Sequence, residues 1–164
     1  MRNIVLWAVL TVVLILANWS IISKERVLAN GEIMLLDLAP RDPRSLLQGD
    51  YMVLRYSLAQ TIMSQLDAPF SATGAAVVRL DENAVASFVR LDGTDQLAQD
   101  ERLLQYRKRG ESLRIAGEAF FFQEGQDDIY ASARYGEVRV DASGEAVLVG
   151  LRDSAFGRLG PESE

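Results

Sequence analysis

Gly49-Asp50-Tyr51-Met52-Val53-Leu54-Arg55-Tyr56-Ser57-Leu58 is the stretch whose reading decides the fold of this chain. Glycine supplies a turn geometry that other residues resist, and an aspartate carboxylate accepts backbone N–H bonds just ahead of a strand. The alternation that follows sorts into two faces. Met52, Leu54, Tyr56 and Leu58 share one, and Tyr51, Val53, Arg55 and Ser57 share the other. A period of two predicts a half-buried strand over residues 51–58, with Leu54 turned to the core.

Working outward, residues 32–38 read as a largely buried strand ended by Pro40 and Pro43, and 39–48 as a loop. Residues 58–66 carry apolar side chains at helical spacing before Pro69. Strands are predicted over 75–80 and 84–91 around Asp81-Glu82-Asn83, then over 103–108 and 112–123 with Gly110 between them. The polar loop Gln123-Glu124-Gly125-Gln126-Asp127-Asp128 leads into a return strand over 129–140. Asp141-Ala142-Ser143-Gly144 turns the chain again into 146–151. Short strands separated by polar turns predict a mainly β, antiparallel, barrel-like domain over residues 31–164.

Residues 1–30 read differently. From position 4 to 17 only Thr11 is polar, and Asn18 interrupts mildly before Ile21 and Ile22. The span from Ile4 to Ile22, about 19 residues at about 1.5 Å each, covers roughly 28 Å, close to a bilayer's hydrocarbon thickness. A cleaved signal peptide is the competing reading, since Arg2 precedes the run and Val27-Leu28-Ala29 follows it. Lys24, Glu25 and Arg26 stand between the run and that point, so a retained single-pass anchor is expected. Flanking charges are nearly balanced across the span. The acidic domain favours an N-terminus inside and the β domain outside the cytoplasm.

That domain carries 14 Lys+Arg against 22 Asp+Glu beyond Gly31, a net charge of −8. Such a surface repels phosphate backbones, so nucleic acid is not an expected partner. The basic run Arg107-Lys108-Arg109 reads as a solvated strand end. The chain has no Cys and no His. Thiolate nucleophiles, Cys/His zinc sites, disulfides and imidazole proton transfer are closed to it. No cofactor is expected, and Asp127 with Asp128 reads as a solvated pair rather than a calcium site.

Three candidate contacts remain. Tyr51 and Arg55 leave the apolar face of their strand as candidate binding residues, although a Tyr that covers a sheet face more often packs there. A hairpin closed around Gln126 would set Glu118 opposite Arg134 and Phe122 opposite Tyr130. A structural pair is the default reading of Glu118 and Arg134; the functional alternative is an Arg134 held by the carboxylate so that it can grip a ligand carboxylate or an acidic loop.

Gly49-Asp50-Tyr51, Leu54 and Tyr56 spell a pattern that resembles the GDYXXLXY family of small membrane-anchored bacterial proteins. A second region resembles it too, in Phe122-Gln123-Glu124-Gly125 and Arg134-Tyr135-Gly136. With the apolar helix, the resemblance covers nearly the whole chain and implies a bacterial inner-membrane protein with a periplasmic domain. A partial resemblance to type I signal peptidases lies in the segment from Ser45 to Leu54 and in Tyr106-Arg107-Lys108-Arg109. It implies a Ser/Lys dyad of Ser45 and Lys108. Where that family places its serine, this chain has Pro40, Arg41 and Asp42, so Ser45 itself would have to serve. The leading expectation is a membrane-anchored binding or assembly module working with another membrane protein. A membrane-tethered hydrolase is the alternative, and an envelope-ligand module using Tyr51, Arg55 and Arg134 is a third.

Overall fold

Helix α1, Arg2–Asn30, opens the chain because nothing in its first 22 residues breaks a helix and two of the polar residues that interrupt its apolar run, Thr11 and Asn18, are satisfied locally. Thr11 Oγ1 donates to the Trp7 carbonyl and Asn18 Nδ2 to the Leu14 carbonyl, both at 2.9 Å, so neither presents an unpaired donor to an apolar surrounding. Residues 4–30 are long and apolar enough to cross a membrane, and the large apolar side chains from Ile4 to Ile22 are exposed all round. The computed structural model describes residues 2–39, 51–66, 72–93, 96–110 and 112–160.

A single residue, Gly31, joins α1 to the first strand. A Cβ there would lie 2.4 Å from the Val27 carbonyl, and the Gly31 N–H caps that same carbonyl at 2.8 Å. Val27 is buried, and Arg139 donates to the Gly31 carbonyl at 3.0 Å. The helix is thereby fastened to the domain rather than tethered by a linker.

Among the described residues ten strands and two short helices follow: β1 Glu32–Asp37, β2 Tyr51–Val53, α2 Ser57–Gln65, β3 Thr73–Leu80, β4 Ala86–Leu91, β5 Glu101–Arg109, β6 Ser112–Arg114, β7 Ala119–Phe121, α3 Asp127–Ala131, β8 Tyr135–Val140, β9 Ala146–Arg152 and β10 Arg158–Leu159. They form two curled four-stranded sheets, ordered β1-β8-β9-β10 and β4-β3-β5-β6, and a two-stranded ribbon of β2 and β7. These strands pair antiparallel, and the isolated Leu35–Val85 bridge is parallel. The sheets meet where the Leu35 N–H bonds the Ala84 carbonyl at 2.8 Å. Between them lies one core, with Met34, Leu36 and Val138 from the first sheet, Ala76, Val78 and Leu104 from the second, and Leu58 and Ile62 from α2.

Three local expectations change. The strand predicted over 51–58 ends at Val53; Tyr56 keeps a single bridge to Leu38, and α2 starts at Ser57. The reason is the i, i+4 spacing of Leu58 and Ile62, which buries both on one helical stripe. The strand predicted over 112–123 divides into β6 and β7, in different sheets, across Ala116 at φ 51°. The return strand over 129–140 starts only at Tyr135, because residues 127–131 form α3. Asp127 and Asp128 sit in its first turn, where carboxylates favour a helix, and Tyr130 is buried between Phe120 and Phe122.

One buried acid ties the second sheet together. Glu101 is 7% exposed, accepts from Arg90 Nη1 at 2.8 Å and from the Ala98 N–H at 3.2 Å, and lies 3.5 Å from Arg79 Nη2. The Arg90 hydrogen bond, helped by the Ala98 N–H and opposed by burial, holds its carboxyl below the usual glutamate range. A carboxyl depressed in the folded state adds stability above its unfolded value, about 4.3, and loses it as pH falls through the lower folded value. We expect the melting temperature of the full chain in detergent to fall in that acid range, and Glu101→Gln to flatten the acid limb. An acid limb identical in wild type and variant would show that Glu101 is not the group responsible.

Candidate functional site

The β2–β7 ribbon divides its side chains as a two-residue period requires. Met52 is opposite Phe120, while Tyr51 is opposite Phe121 and Val53 opposite Ala119. Met52, Leu54 and Tyr56 are buried, and Phe120 packs on the core. The other face is open: Tyr51 is 37% exposed, Val53 60% and Phe121 74%, with the Tyr51 and Phe121 rings 5.7 Å apart. Arg55 continues this exposed face, with no ion pair among the described residues. The Leu54 N–H extends the ribbon by bonding the Glu118 carbonyl at 2.7 Å, and the Arg55 carbonyl accepts the Ala39 N–H at 2.7 Å. The backbone that presents the face is therefore pinned from both sides.

Beneath it, Tyr56 does the locking. Its hydroxyl donates to the Gly117 carbonyl at 2.7 Å, and its ring lies over Gly136. Burial, with the Glu118 charge adding to it, pushes the phenol far above its ordinary value, so it remains a donor. Tyr56 of the first motif and Gly136 of the second are thus in contact. Leu54 is buried with them in the same core.

The hairpin around Gln126 does not form, since β7 pairs with β2, and β8 pairs with β1 and β9. Glu118 does not face Arg134. It lies 2.7 Å from Arg114 Nε, four residues away, and Arg134 Nη2 lies 3.1 Å from Asp37 Oδ1. Ser57 Oγ holds the other Asp37 oxygen at 2.8 Å. Phe122 and Tyr130 do meet, stacked at 5.1 Å, but Tyr130 reaches Phe122 from α3 rather than from a facing strand. Gln123, Glu124 and Gly125 form an exposed turn after the ribbon, with Gly125 at φ 82° and the Gln126 N–H on the Gln123 carbonyl. Tyr135 stacks on Phe156 at 5.2 Å.

Gly49, Asp50 and Ser45 lie outside the described residues. Lys108, the other half of the dyad, is half-buried opposite Leu113 near the end of β5. Among the described residues no group of three Asp or Glu side chains is placed to hold a metal, and Asp127 and Asp128 are exposed on α3. Phe121 was passed over by the sequence reading, although a run of three phenylalanines in a strand must turn its middle member away from the other two. Asp37 as the partner of Arg134 carried no local signal.

The family model described as GDYXXLXY protein matches residues 13–151, from within α1 to β9 and through both motif regions. No curated protein and no solved structure matches the chain.

Proposed function

The chain belongs to the GDYXXLXY family, and from that premise we propose that it is a membrane-anchored binding or assembly module whose β domain docks another membrane protein outside the cytoplasm. The observation that carries this reading is the open face of Tyr51, Val53, Phe121 and Arg55. Aromatic side chains and arginine are the residues enriched at the centre of protein interfaces, and here they stand on a backbone fixed by main-chain bonds. Arg55 specifies the chemistry of the occupant: a protein surface with an apolar patch beside an acidic side chain. The exposed apolar helix supports placing that partner in the same membrane, which we take to be the bacterial inner membrane with the N-terminus inside.

The absence of cysteine makes a single labelling site possible. Val53→Cys, charged with an impermeant benzophenone maleimide, is expected to react in cells with an opened outer membrane and, on illumination, to cross-link one membrane protein. Ser87→Cys, exposed on β4, is expected to label without cross-linking. Arg55→Glu should weaken the Val53 cross-link by tenfold or more, about 1.4 kcal/mol. Equal products from both positions, or lipid adducts only, would refute docking through the ribbon; failure to label from outside would refute the topology.

A further inference from the structure

The basic run at the end of β5 exposes Arg107 and Arg109 to solvent, with the half-buried Lys108 between them. Arg107 and Arg109 lie on one face of the strand, and Arg107 is directly opposite Arg114 of β6. Like charges in that position destabilise a sheet. Arg114 has Glu118, but among the described residues the guanidinium groups of Arg107 and Arg109 have neither an ion pair nor a hydrogen bond. All three line one open groove of about 740 Å³, whose far wall includes Lys24 of α1. Lys24 is ion-paired with Glu145 beside the β8–β9 turn, and Asp92 is the other acid lining the groove. Among the described residues, four cations against two anions line this concavity, on a domain whose net charge is −8.

The position of Lys24 fixes where this concavity sits. It is two residues beyond Ile22, about 3 Å along the helix axis from the end of the apolar run, and six residues, about 9 Å, short of Asn30. The β8–β9 turn thus reaches back down the helix from the Gly31 joint to the level where lipid headgroups begin. On the anchored reading above, on which this inference rests, the groove opens at the membrane surface.

We infer that the groove holds the phosphate of an anionic phospholipid headgroup in the leaflet on the domain side, with Arg107 and Arg109 as its donors. Guanidinium groups match phosphate oxygens in geometry as well as charge. An anionic phosphodiester would also relieve the Arg107 and Arg114 repulsion. Occupancy would hold the β4-β3-β5-β6 sheet against the membrane and fix the height and rotation of the docking ribbon.

The test uses the full chain in a neutral detergent, titrated with short-chain phosphatidylglycerol, short-chain phosphatidylcholine and glycerol 3-phosphate, with bound ligand counted by native mass spectrometry. Phosphatidylglycerol should be retained, less so as salt is added, and phosphatidylcholine much less. Each arginine near a charged headgroup is worth about a fivefold change, so Arg107→Gln with Arg109→Gln should weaken retention roughly thirtyfold. Both side chains point away from the core, and an unchanged melting temperature would show that the fold is intact. Equal retention of both lipids, or no effect of the double variant, overturns the inference. Binding of glycerol 3-phosphate as tight as that of the lipid would overturn the lipid source and assign the groove to a soluble phosphate ester. Flotation of wild type with phosphatidylcholine vesicles reports separately on the anchor, so a failed anchor and a failed headgroup site give different results.

Discussion

Leu54→Asp is expected to cost about 4 to 5 kcal/mol, whereas Val53→Asp, one residue away, is expected to stay within about 0.5 kcal/mol. Leu54 is 4% exposed in the core, and truncating such a side chain alone costs about 2 to 5 kcal/mol. A carboxylate there would add a buried charge. Its position cannot relax outward readily, because the Leu54 N–H is held by the Glu118 carbonyl at 2.7 Å. Against a total stability of about 5 to 15 kcal/mol, that loss leaves the domain marginal or unfolded. Val53 faces solvent on the other side of the ribbon. Denaturant titration of the full chain in detergent, followed by circular dichroism, measures both, and a larger loss for Val53→Asp would mean that the ribbon is turned over. Tyr51→Ala belongs with the exposed face: it removes a ring contact with Phe121 worth about 1 kcal/mol, and it should reduce partner cross-linking by more than it reduces stability.

The division between those two faces is the part of the fold most legible in the sequence. Alternation is a local property, and it assigns Met52, Leu54, Tyr56 and Leu58 to the core wherever the strand ends. The apolar helix and the antiparallel class are legible for the same reason, since each rests on a short-range period. What was not legible depends on partners far along the chain. Arg134 has Glu118 as a plausible partner only if residues 120–134 form a hairpin. The hairpin fails because β7 finds β2, 66 to 70 residues upstream by the register of Val53 with Ala119 and Tyr51 with Phe121. Helix α3 was hidden because its five residues are too few to show a period, and the insertion of Tyr130 between two rings, which adds to the two acids of its first turn, comes from the fold. The groove was hidden similarly: Arg107 and Arg109 are visible as a basic run, but Lys24 joins them only through the fold.

Gly136→Val is the second substitution with a large expected effect, about 3 to 4 kcal/mol, and its cause is a single contact. Gly136 lies in β8, between Leu36 of β1 and Leu151 of β9, and a Cβ there would come 2.9 Å from Tyr56 Cε1. The ring cannot step aside freely, because its hydroxyl is anchored on the Gly117 carbonyl at 2.7 Å. Overpacking at such a site forces either a displaced ring with a broken hydrogen bond or a distorted central strand. Tyr56→Phe alone should cost about 1 to 2 kcal/mol, the bond without the ring. Tyr56→Ala should cost about 3 to 5 kcal/mol, the cavity included. The discriminating measurement is the double variant. Since the cavity left by Tyr56→Ala accepts the valine side chain, the pair should cost at least about 1 kcal/mol less than the two single losses added. Additive losses would mean that Gly136 is required for a reason other than Tyr56. Coupling would show that the last tyrosine of the first motif and the glycine of the second are two halves of one packing contact. In that case the motif residues on the buried face set the shape of the domain, and the side chains that alternate with them on the other face are left free of that packing duty.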